Sequence, residues 1–418
     1  MPTATVVQGP KELVDVPKLG KTTPVDYSKL RINWPQASLL VITPFIALYG
    51  ILTVPLCRAT MIWTIFYYFF AGLGITAGYH RLWSHRSYEA RLPLQIILAL
   101  GGVSAFQGSI RWWSRGHRAH HRHTDTDEDP YGIHRGLFWS HFGWLLFHPE
   151  SKPGPADVSD LEKDPLVRWQ HRNYMWLAPF MSLVLPTLVA GFGWGDWRGG
   201  YFYAAVLRLV LVHHATFCVN SLAHWLGEAS YDDLNSPRDH FITAIVTFGE
   251  GYHNFHHEFP RDYRNAIRWW QYDPTKWLIH LCSWTGQAYG LRRFSDNEIR
   301  KGNVLMREKQ IIMEKTTIEW GTPACDLPAY TWEEFQHECR ENGRMWTVID
   351  GFVLDFERFI GDHPGGEGMI RSGRGRDSTK AFNGGVHVHR RAARNLLTAM
   401  RVGVIKRGDT ASESAAQA

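Results

Sequence analysis

Cysteine is scarce. The chain of 418 residues holds only 5, at Cys57, Cys218, Cys282, Cys325 and Cys339, and none forms a C-x-x-C pair. That excludes a disulfide framework and a zinc ribbon, and it fits a reducing, cytosol-facing environment. Net charge is small, +5, and the basic residues are dispersed, so no nucleic-acid partner is expected. Residues 1–38 lack a charged segment followed by an apolar stretch, which argues against a cleavable signal peptide. That arm is rich in Pro, Lys, Thr and Val and reads as flexible. No G-x-G-x-x-G in a βαβ setting is present, which argues against a dinucleotide-binding domain.

Aromatic and apolar residues are plentiful instead. Aromatics make up 14% of the chain, with 19 Trp, as in proteins with membrane-interface belts. Residues 39–57, 61–79, 174–194 and 202–219 are apolar enough to cross a bilayer, each near the roughly 20 residues a spanning helix needs. Arg208, His213 and His214 are the only charged or imidazole side chains in the fourth. A shorter apolar run, Leu92 to Phe106, reads as an interfacial or re-entrant helix. Tight connections within each pair of spans put both termini and the long central segment on one side. Arg81, Arg86, Arg91, Arg111, Arg115, Arg118 and Arg122 assign that side to the cytosol. Four domains or segments follow: a membrane domain over 39–293, a charged linker over 294–321, a soluble module over 322–405 and a disordered tail over 406–418.

Histidines cluster on the cytosolic side of those spans: His80 and His85; His117, His120 and His121; His253, His256 and His257. Asn220 and His224 stand one turn apart at the cytosolic end of the fourth span. Residues i, i+3 and i+4 share a helix face, so each H-x-x-H-H triplet should converge. His80 and His85 are five apart, roughly 140° around an ideal helix, so they straddle the site or sit on an irregular turn. Nine imidazoles without Cys suit two metals with four or five ligands each, most simply iron, and not structural zinc. Asp125, Asp127, Glu128 and Asp129 follow the second box and can accept N–H bonds from ligand imidazoles, or form a solvated turn. His123, His134, His141, His148, His213 and His214 read as outside the ligand set, the last two as packing contacts.

The strings H-R-L-W-S-H, H-R-A-H-H, N-S-x-A-H and G-E-G-Y-H-N-F-H-H-E-F-P, in this order, closely resemble the integral-membrane acyl-CoA desaturases of the stearoyl-CoA delta-9 type, from about Asn33 to Gly290. The resemblance implies a mostly α fold of four transmembrane helices with a cytosolic helical cap. It implies a diiron centre on His80, His85, His117, His120, His121, His224, His253, His256 and His257, with Asn220 acting through a water. It places Asn33, Trp113, Arg115 and Arg172 against the acyl-CoA. A polyanionic headgroup needs cations in any case, and Arg115, Arg118, Arg172 and Arg268 are the candidates. The chain departs from animal members at Gly116 and His171, where those carry an acidic and a basic residue.

Beyond the linker, Trp346 to Asp355 reads as two short strands joined by an Asp-Gly turn. The following H-P-G-G at His363, with A-F-N-G-G-V-H-V-H ending at His389, resembles cytochrome b5 over about Asp326 to Val404. That implies a small α+β domain with haem b between His363 and His389, the register favouring His389 over His387. Desaturase and cytochrome b5 in this order resemble the fungal delta-9 enzymes. The expected activity is O2-dependent insertion of a cis double bond into a long saturated acyl-CoA at the endoplasmic reticulum membrane. An NADH–cytochrome b5 reductase would feed the haem. A fatty acyl hydroxylase on the same scaffold, and a haem electron carrier with a zinc-binding membrane anchor, are the rival readings.

Overall fold

The computed structural model describes residues 25–148 and 153–406. Most of the expected N-terminal arm and all but the first residue of the expected tail lie outside those residues. The chain divides into two compact units between Lys309 and Gln310. That boundary falls inside one long helix, Asp296–Thr317, where the charged linker is expected.

Four helices are long and apolar enough to cross a membrane: Trp34–Thr53, Arg58–Ser84, Pro165–Trp194 and Trp197–His224. Three are 27 to 30 residues long, exceeding the apolar stretches because one end of each continues as polar turns. The first starts earlier than its apolar run, with Pro35 in its first turn. It ends at Thr53 rather than 57, because Pro55 forces Val54 into the extended region (φ −121°, ψ 118°). Asp164 caps the third helix through Leu166 N (2.8 Å) and Val167 N (3.2 Å). Gly195 ends it at φ 76°, and Asp196 at once caps the fourth through Gly199 N (2.8 Å). The connection expected over 195–201 therefore shrinks to two residues. Large apolar side chains such as Leu52, Trp176 and Phe192 point outward, as a lipid-facing surface requires.

The last 11 residues of the second helix, Gly74–Ser84, form a π-helix. The short apolar helix Leu92–Ser104 packs on it. Their crossing is glycine on glycine: a Cβ on Gly74 would lie 2.1 Å from Gly102 N. Arg208, fully buried in the fourth span, donates to the carbonyls of Ser104 (2.6 Å), Ser182 (2.6 Å) and Ala204 (3.2 Å). His213 Nε2 donates to Ala105 O (2.9 Å). Two polar side chains of one span thus cap the carboxyl end of the short helix, whose last carbonyls have no partner of their own.

The second unit carries a four-stranded sheet in the order Ala329–Tyr330, Arg401–Ile405, Phe352–Asp355 and Trp346–Ile349. The hairpin Trp346–Asp355 turns through Asp350 and Gly351, both at positive φ (51° and 80°), the conformation that an Asp-Gly turn favours. Thr331 and Glu334 form a capping box on helix Trp332–Arg340. One side of the sheet buries Phe335, Cys339, Val348 and Val353. Ile349, Leu354, Phe356 and Phe382 form a second small core.

Candidate metal centre

Helix geometry alone says that the three histidines of a box share a face. The tertiary structure divides them instead. One group joins His80, His85, His117, His121 and His256; the other joins His120, His224, His253 and His257. Within each group the ligating nitrogens lie within 4.8 Å of one another. On helix Ile110–His123 the i, i+4 pair His117 and His121 serves the first group, and His120 turns to the second. Helix His253–Glu258 reverses the division: His253 and His257 serve the second group, and His256 the first. The expectation that each triplet converges on one point is corrected accordingly. Two helices facing each other across the site exchange one imidazole each, because a residue at i+3 lies about 100° from its neighbour at i+4.

The π-helix resolves the five-residue spacing of the first box. Its i→i+5 bonds bring residues five apart to one side. His85 N donates to His80 O (3.0 Å), and the two rings lie 4.8 Å apart. In an α-helix they would diverge.

A layer of acceptors anchors the imidazoles from behind. His120 Nδ1 lies 2.9 and 3.0 Å from the Asp129 oxygens, which also accept from Asp125 N and Tyr131 N (3.2 and 3.1 Å). His224 Nδ1 meets Ser236 Oγ (2.7 Å), and Ser236 donates to Asp125 (2.6 Å). His80 Nδ1 lies 3.0 Å from Glu250 Oε2. Glu250 also receives Arg81 (2.8 Å) and Asn265 (2.5 Å), and Arg81 bridges to Asp273 (3.0 and 3.1 Å). Burial by itself would raise the Glu250 carboxyl, but the Arg81 charge and the hydrogen bonds from Arg81 and His80 bring it down to about 2. It is therefore an anion at neutral pH. Of the four acidic residues at 125–129, Asp125 and Asp129 take the anchoring role. Glu128 is instead 3.1 Å from His123, outside both groups.

With Nδ1 of His80, His120 and His224 facing acceptors, the proton sits there and Nε2 turns its lone pair inward. Nε2 atoms accordingly face one another at 2.7 Å (His85–His117), 3.0 Å (His80–His256 and His121–His256) and 3.1 Å (His224–His253 and His253–His257). His120 Nε2 is buried with no hydrogen-bond partner among the described residues. Burial first, then the neighbouring imidazoles, hold His85, His117, His121, His256 and His257 well below the usual histidine range. His253 is lowered to about 3. Neutral lone pairs crowded in this way fit a pair of cations, and all-imidazole donors suit iron better than a closed zinc site.

Asn220 ends the continuous helix one turn before His224, half-buried, its side chain without a hydrogen bond among the described residues. Trp113 stacks on His117 (centroids 5.0 Å, 25°) and stands 6.1 Å from the His80 ring. Asn33 precedes the first span, its N–H on Leu146 O (2.8 Å). Arg115, Arg172 and Arg268 are exposed. Arg118 is not available to a ligand, contrary to expectation. It donates to Ser84 O (3.1 Å), Trp83 O (2.7 Å), Asp157 O (2.7 Å) and both Asp160 oxygens (2.7 and 2.8 Å). Its guanidinium bolts the second-box helix to the end of the π-helix. His213 makes the packing contact expected of it, whereas His214 pairs with His141 (3.0 Å).

Sequence reasoning missed Glu250, Ser236, Asn265 and Asp273. Glu250 had a signal, three residues before His253 within the fourth box. Ser236 had none, since its partner Asp125 is 111 residues away.

In the second unit, the His363 and His389 rings are 6.4 Å apart and inclined at 32°. His389 Nδ1 donates to Phe382 O (3.0 Å), and His363 Nδ1 faces Gly366 O (3.3 Å). Each ring is thus held by Nδ1 and free at Nε2, which fits a haem iron between them. His387 is exposed, and its ring has no hydrogen bond among the described residues.

Four spans, two groups of buried imidazoles and a bis-histidine module define a membrane oxidoreductase with its electron carrier in the same chain. The comparisons name the family. Residues 30–292 match the fatty acid desaturase family, and residues 331–406 match the cytochrome b5-like heme/steroid binding domain. The chain belongs to the fatty acid desaturase family and carries a C-terminal cytochrome b5 domain. It is 52% identical over 378 residues to the probable acyl-CoA desaturase of Schizosaccharomyces pombe, covering 90% of this chain and 78% of that one. Acyl-CoA desaturase 1 of Saccharomyces cerevisiae is 48% identical over 378 residues, 90% of this chain and 74% of that one. Human stearoyl-CoA desaturase is 42% identical over 288 residues, 68% of this chain and 79% of that one.

Proposed function

We propose that this protein is an acyl-CoA desaturase of the endoplasmic reticulum membrane that introduces a cis double bond, at the delta-9 position, into long saturated acyl-CoA. The observation that carries the reading is the division of nine buried or half-buried histidines into groups of five and four with their lone pairs turned inward. His80, His85, His117, His121 and His256 would hold one iron, and His120, His224, His253 and His257 the other, and Asn220, one turn before His224, would act on the centre through a water. Together with O2, such a pair supplies an oxidant strong enough for an unactivated methylene.

The chain's own residues do the rest. Asp129, Glu250 and the Ser236–Asp125 pair fix the imidazole tautomers and aim Nε2 inward. Trp113, beside His117, forms a wall for an acyl chain. Exposed Arg115 and Arg172 supply cations for the CoA phosphates, with Asn33 at the membrane edge. Alkene formation releases two electrons while O2 takes four on its way to water, so two more must arrive. His363 and His389 would hold the haem b that delivers them from an NADH–cytochrome b5 reductase. The helical linker keeps that haem at high effective concentration.

The test is turnover of saturated acyl-CoAs of several lengths by purified protein with NADH, reductase and O2, with the double bond located and metals counted. A cis-9 alkene and two irons per chain besides haem are expected. Hydroxylated chains as the sole product would overturn the desaturase reading. Zinc without iron in protein from its native host would overturn the metal assignment.

A further inference from the structure

Outside the metal centre, the cytosolic side carries a second apolar feature that the chemistry does not use. Helix Pro274–Trp284 has two faces. Thr275, Lys276 and Ile279 are buried, and Ile279 packs in the same core as Leu82 and Tyr88. Trp277, Leu281 and Trp284 are 43%, 54% and 74% exposed. At i, i+4 and i+7 they form one stripe, with His280 beside it. Trp269 and Trp270, just before the helix, are 82% and 58% exposed. Trp277 Nε1 donates to Trp269 O (3.0 Å), which ties the stripe to those two rings. So much exposed Trp is costly in water.

We propose that this helix lies in the cytosolic leaflet of the bilayer as an interfacial anchor, its Trp277–Leu281–Trp284 stripe seated among lipid headgroups and upper acyl chains. Position argues for lipid as the occupant. Leu82 belongs to the last turn of the second span, so the core under Ile279 sits where that span leaves the apolar layer. Continuity argues for it as well. The strand after the helix, Ala288–Tyr289, pairs with Glu89–Ala90. Arg91 N donates to Gln287 O (2.8 Å), and Arg91 Nε to Gly286 O (2.9 Å). Leu92 then begins the short apolar helix, on which Leu92, Ile96 and Ile97 are also exposed. The carboxyl end of one helix and the amino end of the other are thus held side by side, joining two apolar surfaces. Indole rings favour this depth, being apolar in body and polar at one edge.

The experiment uses the full-length haem- and iron-loaded protein in bilayer discs. Its tryptophan fluorescence is compared with that of a W269F/W277F/W284F variant, which keeps an apolar face; equal melting temperatures establish that the fold is retained. The difference between the two signals isolates these three rings. Bromines placed high on the lipid acyl chains should remove most of that difference signal, and aqueous iodide should leave it. Quenching by iodide but not by bromine would mean a surface open to water, and resistance to both would mean a stripe covered by a second copy. Either overturns the proposal.

Discussion

Three of the clustered imidazoles, His80, His120 and His224, have an acceptor behind Nδ1. Asp129 fixes His120, and Asn at that position would still reach the ring but would lose the charge that makes Nε2 basic. Asp129→Asn is therefore expected to lower metal retention about 10- to 100-fold, read as iron per chain after dialysis against a chelator, with the haem spectrum unchanged. His120→Ala should abolish turnover with the same intact spectrum. Arg208 acts on the fold rather than the site. Replacing it by Leu removes the donors to three buried carbonyls, each one left unsatisfied costing about 1–3 kcal/mol. A lowered melting temperature with unaltered iron content in the surviving folded protein is the expected result. Arg118, Arg115 and Arg172 look alike in sequence, and only the structure separates the bolt from the exposed cations.

At the level of elements, the π-helix Gly74–Ser84 and the two facing histidine helices matter most. The spacing of His80 and His85 showed that an ordinary α-helix would not serve, but not which irregularity would. A π segment is stabilised by tertiary contacts, here with the glycine-rich short helix against it. In the haem module the turn chemistry was local, and the Asp-Gly hairpin formed as expected. Because the His363–His389 pair lies wholly in the second unit, His363→Ala should remove the haem absorbance and NADH-driven turnover while leaving the non-haem iron count unchanged. Full NADH-driven activity in that variant, without added cytochrome b5, would refute the fused-carrier reading.

Across the whole molecule, burial of so many neutral imidazoles makes stability depend on pH. In an unfolded chain histidine titrates near about 6.5, whereas the buried ligands titrate lower and His253 at about 3. Above the unfolded value neither state binds these protons, so stability is flat. As pH falls below it, the unfolded chain takes up protons that the folded one refuses, and stability declines down to the folded values. Thermal melts between about pH 8 and pH 5 should show a plateau and then a fall. Iron-loaded protein should melt higher than chelated protein at every pH, because metal binds the folded state.

Spans, the clustered histidines and the cytochrome b5 module were legible in the chain because each rests on local order: apolar run length, helical spacing, turn residues. The division of the nine histidines into five and four was not. His80 meets His256 across 176 residues, and His121 meets His256 across 135. No periodicity within one helix can say which of two neighbouring points an imidazole faces when the helices crossing it come from elsewhere in the chain. Sequence set which side chains could bind metal; the packing of the second and fourth spans around the two histidine helices decided how they are shared.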